Sequence, residues 1–191
     1  MNIKLFSFDA ETPHLWGGAF SIGAVVTENG IPVAKFVGTC PIEGQVDPWV
    51  AENVLPFCDD PDYPDFDSLL RAFAQFYHQH KKGAIFIAHV GCPVEAYLLR
   101  CMYERGLFES AFDAPFPLHE VSTMLLSSNI MRGTSFDTLS VDKTVTEIWD
   151  VLPENVKNAY QDATKPIQGK THNPLWDSYQ AGLVAYYLMQ S

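Results

Sequence analysis

The sequence predicts an α/β domain whose mixed β-sheet, an antiparallel meander extended by parallel strands, is flanked by helices. Three observations carry this reading. The chain opens with three β-rich runs, the second and third joined at Asn29-Gly30, the strongest short hairpin signal. Beyond them, short apolar runs alternate with segments of helical apolar spacing, the order expected of helices packed on a sheet. At 191 residues and 47% hydrophobic content the chain can bury one sizeable core, and it falls within the roughly 100–200 residues of a single domain. Residues 1–191 are therefore expected to form one domain.

The elements follow in order. "IKLFSFDAE" (3–11), "AFSIGAVVT" (19–27) and "PVAKFVGTC" (32–40) read as strands. The Asp-rich "CDDPDYPDFD" is a loop or helix entry with a solvated surface. Its spacing lacks the central Gly and closing Glu of an EF-hand loop. "FDSLLRAFAQFYHQHKK" places Leu69, Leu70, Phe73, Phe76 and Tyr77 at helical spacing and stops at Gly83. "AIFIAHV" is fully apolar, as a strand buried on both faces would be. "PVEAYLLRCMYERGLF" has Pro93 at its start and Gly106 near its end, the asymmetry of a helix. "FPLHEVSTML" reads as a strand running into a short helix. From about 127 to 170 the pattern weakens, with short helices near 145–149 and 154–162. "NPLWDSYQAGLVAYYLMQ" closes the chain as a helix, with Asn173 suited to its N-cap and Pro174 to its first turn.

Composition excludes several classes. No apolar run reaches the ~18 residues of a membrane span, and the N-terminus is a poor signal peptide, so a soluble, cytoplasmic protein with no membrane partner is expected. The four cysteines contain no C-x-x-C pair, which argues against a zinc ribbon or a disulfide framework. No Walker A or Rossmann glycine pattern is present, so no nucleotide cofactor is assigned. The net charge of −11 opposes binding of nucleic acid by charge alone. It does not oppose binding where metal ions reverse the local field.

Two polar constellations stand out. Asp9 and Glu11 end the first strand and, two apart, share one of its faces. Two carboxylates so placed repel unless a cation sits between them, and hard divalent cations prefer carboxylate oxygens. Taken alone the pair is more simply two acids at an exposed strand end. In "THNPLWDSYQ", His172 precedes the expected helix cap and Asp177 lies in the helix's first turn. Helix-dipole preference for a first-turn acid explains Asp177 equally well, but it does not explain His172.

Together, "DAETPHL" and "HNPLWDS" resemble the D-x-E-T-T-G-L and H-N-A-x-x-D-A motifs of the DEDDh 3′–5′ exonucleases, a family with a ribonuclease H-like fold, and the element order matches that fold over nearly the whole chain. The family's second motif, H-N-x-x-F-D, corresponds to "IAHVGCPVEAYLL". His89 begins it, Val90 replaces the Asn, and the acid is Glu95, one residue further on than expected. The resemblance implies two divalent ions, Mg²⁺ or Mn²⁺. Asp9 would bridge both, Glu11 and Asp177 would complete one shell, and Glu95 would support the second ion. It implies His172 as general base, and 5′-mononucleotides as products released from a 3′ end. Leu15 matches the position that packs under the terminal base, and Thr12 the position that contacts the terminal nucleotide. His14 stands where the family has Gly. His89 and Trp16 could stack on a base, although core packing explains an isolated Trp or His as well. Single-stranded or 3′-overhanging RNA or DNA is the implied partner, and many family members form homodimers.

Two rivals remain. Cys92, before a helix start and near His89, would suit a thiol enzyme, but Cys–His partners usually come from distant segments. The irregular second motif would suit a catalytically weakened binding module for nucleic acid or a protein partner.

Overall fold

In the computed structural model, which describes residues 2–110 and 112–190, the three opening runs form β1 (Lys4–Glu11), β2 (Ser21–Glu28) and β3 (Ile31–Thr39). Asn29 and Gly30 both take positive φ, 52° and 79°, the two-residue turn that matches strand twist. The Asn29 side chain also accepts the Ile3 N–H at 3.0 Å. β4 (Ile85–Ala88) and β5 (Leu118–Glu120) complete a sheet of order β3-β2-β1-β4-β5. β1 lies at its centre, antiparallel to β2 and parallel to β4. β4 lies between β1 and β5, and only Ile87 and Ala88 of it are fully buried.

Side-chain alternation along β1 divides the core in two. Phe6, Phe8 and Ala10 face a cluster built with α2 (Phe66–His80) and α3 (Val94–Glu104). Leu5 faces the opposite cluster, built with α4 (Val121–Arg132), α5 (Val141–Ile148), α6 (Glu154–Thr164) and α7 (Pro174–Gln190). Asp9 and Glu11 continue the Leu5 side, so the same alternation aims both acids at α7. That helix is buried almost all round, because the sheet covers one flank and other helices cover the rest.

The weakly patterned stretch and its flanks are more helical than the sequence suggests. α4 runs through Arg132 and is closed by Gly133 at φ 69°, although Ile130 and Met131 are exposed and break its apolar period. α5 begins four residues earlier than the spacing indicates, capped by Ser140, which accepts the Lys143 N–H. A short helix, α1 (Pro48–Asn53), was not legible; Asp47 caps it and its own N–H donates to Pro13 O at 2.8 Å. In the Asp-rich stretch, Asp62 accepts the Thr39 N–H at 2.8 Å and Asp65 caps α2, local roles that account for both acids. No helix among the described residues is long and apolar enough to cross a membrane.

Candidate active site

The C-terminal end of β1, the start of α3 and the start of α7 converge on one cleft of about 580 Å³. Asp9, Glu11, Glu95, His172 and Asp177 all line it, with Leu15 and His89. Ligand atoms of Glu11, His172 and Asp177 lie within 4.8 Å of one another. Thr12 is buried in the loop after β1 and is not among the lining residues.

Close approach of α7 to the sheet places Asp177. Asp9 pairs with Gly23 on β2, and a Cβ at Gly23 would overlap the backbone of Pro174 and Leu175. Only glycine therefore lets the α7 start sit directly on the strand beside Asp9. Ser178 Oγ then donates to Gly23 O at 3.1 Å. Asn173 caps the helix, its Oδ1 accepting the N–H groups of Leu175 and Trp176 at 3.2 and 3.3 Å. Its Nδ2 donates to Phe57 O at 3.0 Å, fixing the loop that carries His172.

His172 is half-buried and left-handed, with φ 64°, a conformation uncommon for a non-glycine residue. Its ring meets the Trp49 ring edge-on at 5.3 Å. Burial holds its pKa below the usual histidine range, partly opposed by the Asp142 charge, so the imidazole is neutral at pH 7 and free to accept a proton.

Glu95 lies in the first turn of α3 and is 5% exposed. The backbone N–H of Ala10, between Asp9 and Glu11 on β1, favours the ionised form of Glu95 without outweighing burial and the Asp9 charge. The one-residue displacement of the second motif therefore still delivers an acid to the cleft. His89 Nε2 lies 3.3 Å from Thr138 O, and burial lowers its pKa.

The four acids are electrostatically strained. Burial pushes Asp9 up to about 7. Burial raises Glu11 well above the carboxylate range, followed by the charges of Asp9, Asp177 and Glu95. Glu95 and Asp177 are raised by burial and then by Asp9. Asp9 is thus the charge common to the other three. No Lys or Arg among the described residues forms a salt bridge with any of these acids. A half-buried set of carboxylate oxygens and one imidazole, with no ion-pair partner among the described residues, fits hard divalent cations.

Asp142, in the first turn of α5, also lines the cleft. Its Oδ1 accepts Trp176 Nε1 at 3.2 Å and Gln180 Nε2. The sequence reading passed over it, although Ser140 ahead of the apolar positions Val141, Val145 and Ile148 was a usable cap signal. Leu139, 79% exposed, and Val90 add apolar surface to the walls. Cys92 is exposed on the rim.

No protein-family model and no curated protein sequence matches the chain. A solved structure described as exonuclease X in complex with 5′ overhanging duplex DNA is similar over 97% of this chain and 91% of that one, at 17% identity and a TM-score of 0.50. Identity this low speaks to the fold alone, and the α/β, ribonuclease H-like fold expected from the sequence is the fold observed.

Proposed function

We propose that this chain is a metal-dependent 3′–5′ exonuclease that shortens single-stranded or 3′-overhanging RNA or DNA to 5′-mononucleotides. The observation that carries the reading is the meeting of Glu11, His172 and Asp177 within 4.8 Å, in a cleft also lined by Asp9 and Glu95. Asp9, Glu11, Asp177 and Glu95 are the residues that would hold two Mg²⁺ or Mn²⁺ ions. Asp9 fits the shared position, because its charge raises each of the other three acids. Ions bound there would neutralise the scissile phosphate and stabilise the attacking and leaving oxygens.

The chain's own groups supply the rest. A neutral His172 accepts a proton from the attacking water. The water oxygen bonds to phosphorus as the bond to the 3′ oxygen of the preceding nucleotide breaks. Leu15, 59% exposed at the cleft, offers an apolar seat for the terminal base, with the His89 ring on another wall. Thr12, its side chain buried, would meet the nucleotide through its backbone.

A binding module with a weakened centre is favoured by one observation: Asp9 and Glu95 both stand outside the Glu11–His172–Asp177 group. Digestion of 5′-labelled single-stranded RNA and DNA separates the readings. The exonuclease gives a ladder shortening from the 3′ end with Mn²⁺, absent in EDTA and in Asp9→Ala. Folded wild type that cuts neither polymer, yet retards either in a gel, overturns the enzyme in favour of the binder.

A further inference from the structure

A general base has to be held in one orientation, and a histidine is usually held by a hydrogen bond to its second ring nitrogen. Among the described residues, no hydrogen bond engages either ring nitrogen of His172. Its polar contacts run through the backbone. Cys58 Sγ lies 3.8 Å from the His172 carbonyl oxygen, and the His172 N–H favours the ionised form of Asp177. The left-handed backbone at φ 64° fixes where the side chain starts but not how the ring turns about its own torsions. What the ring meets is Trp49. The two centroids are 5.3 Å apart and the planes stand at 80°, an edge-to-face arrangement that aromatic pairs prefer.

Trp49 is itself firmly placed. It lies in the first turn of α1, where Asp47 Oδ1 accepts its N–H at 2.8 Å. The Asp47 N–H donates to Pro13 O, in the loop that follows β1. Val50 and Val54 root the same segment in the core shared with Phe8 and Ala10. Further along, Phe57 O accepts Asn173 Nδ2 at 3.0 Å. Residues 47–58 therefore span from the loop after the Asp9–Glu11 strand to the loop that carries His172. Burial does not explain the indole, because Trp49 is 54% exposed. Its placement is fixed by the segment, and its one ring contact among the described residues is the imidazole.

We propose that Trp49 is a positioning residue, which holds the His172 imidazole in the orientation that accepts a proton in the cleft. The aromatic contact replaces the usual orienting hydrogen bond and leaves the basic nitrogen unengaged. The inference rests on the reading of His172 as general base.

Two measurements test it. NMR relaxation of the His172 ring carbons, in EDTA, reads orientation without turnover. The ring should be rigid in wild type, mobile on the picosecond–nanosecond scale in Trp49→Ala and rigid again in Trp49→Phe. Single-turnover digestion of a 5′-labelled oligomer reads the consequence. Trp49→Ala should lower the maximal rate about tenfold, with half-saturation and Mn²⁺ affinity within about twofold of wild type. Trp49→Phe should restore most of that rate. In a His172→Asn background Trp49→Ala should cost nothing more, because a residue that acts through His172 has nothing left to position. The proposal is overturned by a ring as ordered in Trp49→Ala as in wild type, or by a loss carried in half-saturation, which would make Trp49 a substrate contact. It is also overturned if Trp49→Phe is no better than Trp49→Ala, or if the loss persists in full beside His172→Asn. Wild type that does not digest either polymer removes the nuclease reading alone, and ring relaxation still decides for or against Trp49.

Discussion

His172 combines a strained backbone, an aromatic neighbour and two nearby carboxylates. Its position within 4.8 Å of Glu11 and Asp177 suits either of two jobs, metal ligand or general base, and one substitution separates them. Asn tolerates left-handed backbone better than other non-glycine residues, so His172→Asn should preserve the φ of 64° and the fold. A general base lost in this way lowers kcat by about 10²–10⁴-fold and leaves Mn²⁺ affinity within about twofold. A lost ligand instead weakens Mn²⁺ by more than about tenfold. Calorimetry beside single-turnover digestion reads both, and unchanged kcat would remove His172 from the chemistry. Asp9, Glu11, His172 and Asp177 were legible because each sits at a point fixed by local rules, a strand's alternation or a helix's capped start. Glu95 was legible only as an irregularity. Its link to the Ala10 N–H depends on how α3 docks against β1, which no local pattern encodes. Asp142 was missed for the same reason, since its partners Trp176 and Gln180 lie more than thirty residues away.

Among the elements, α7 decides whether the acids meet. Its start rests on β2 at Gly23, opposite Asp9. A Cβ there would collide with backbone, which cannot rotate aside, so Gly23→Ala has to lift the helix or bend the strand. Overpacking of this kind costs about 1–3 kcal/mol. The lift should also move Asp177 away from Asp9 and Glu11. The expected result is a folded protein melting several degrees lower, with Mn²⁺ affinity reduced more than about tenfold. Full metal affinity in a destabilised Gly23→Ala would show that the helix seat is structural only. In the sequence this glycine looked like one of several near the second strand. Its role became visible only once α7, about 150 residues later, was placed on top of it. The elements themselves divide similarly. The hairpin at Asn29-Gly30 and the cap at Asn173 are local chemistry and were readable. α1 is a single short helix, and α4 keeps Leu126, Ile130 and Met131 exposed, so periodicity had little to report.

For the whole molecule, folding forces like charges together. The end of the central strand β1 carries Asp9 and Glu11 half-buried into the cleft, and the two helix starts add Glu95 and Asp177. The carboxyl of Asp9 rises from 3.8 to about 7, so between those pH values the folded protein holds a proton that the unfolded chain releases. Stability without metal must then fall as pH rises through that window, because the native state is being made to ionise a buried acid. Glu11, Glu95 and Asp177 are raised in the same direction and add to the slope. Divalent ions reverse the penalty only where the acids are ionised, and at a hundred times Kd they add about 2.7 kcal/mol, or roughly 5–10 °C for a domain of this size. In EDTA the melting temperature should therefore drop by several degrees from pH 5 to pH 8, and Asp9→Asn should flatten that slope while abolishing digestion. Mn²⁺ should raise the melting temperature strongly at pH 8 and little at pH 5. An EDTA profile that is flat or rises with pH would mean that the acids are solvated and not trapped together. An equal Mn²⁺ effect at both pH values would place the ion elsewhere. Only the predicted pair of slopes follows from a cluster whose carboxylates are tolerated in the fold because cations bind among them.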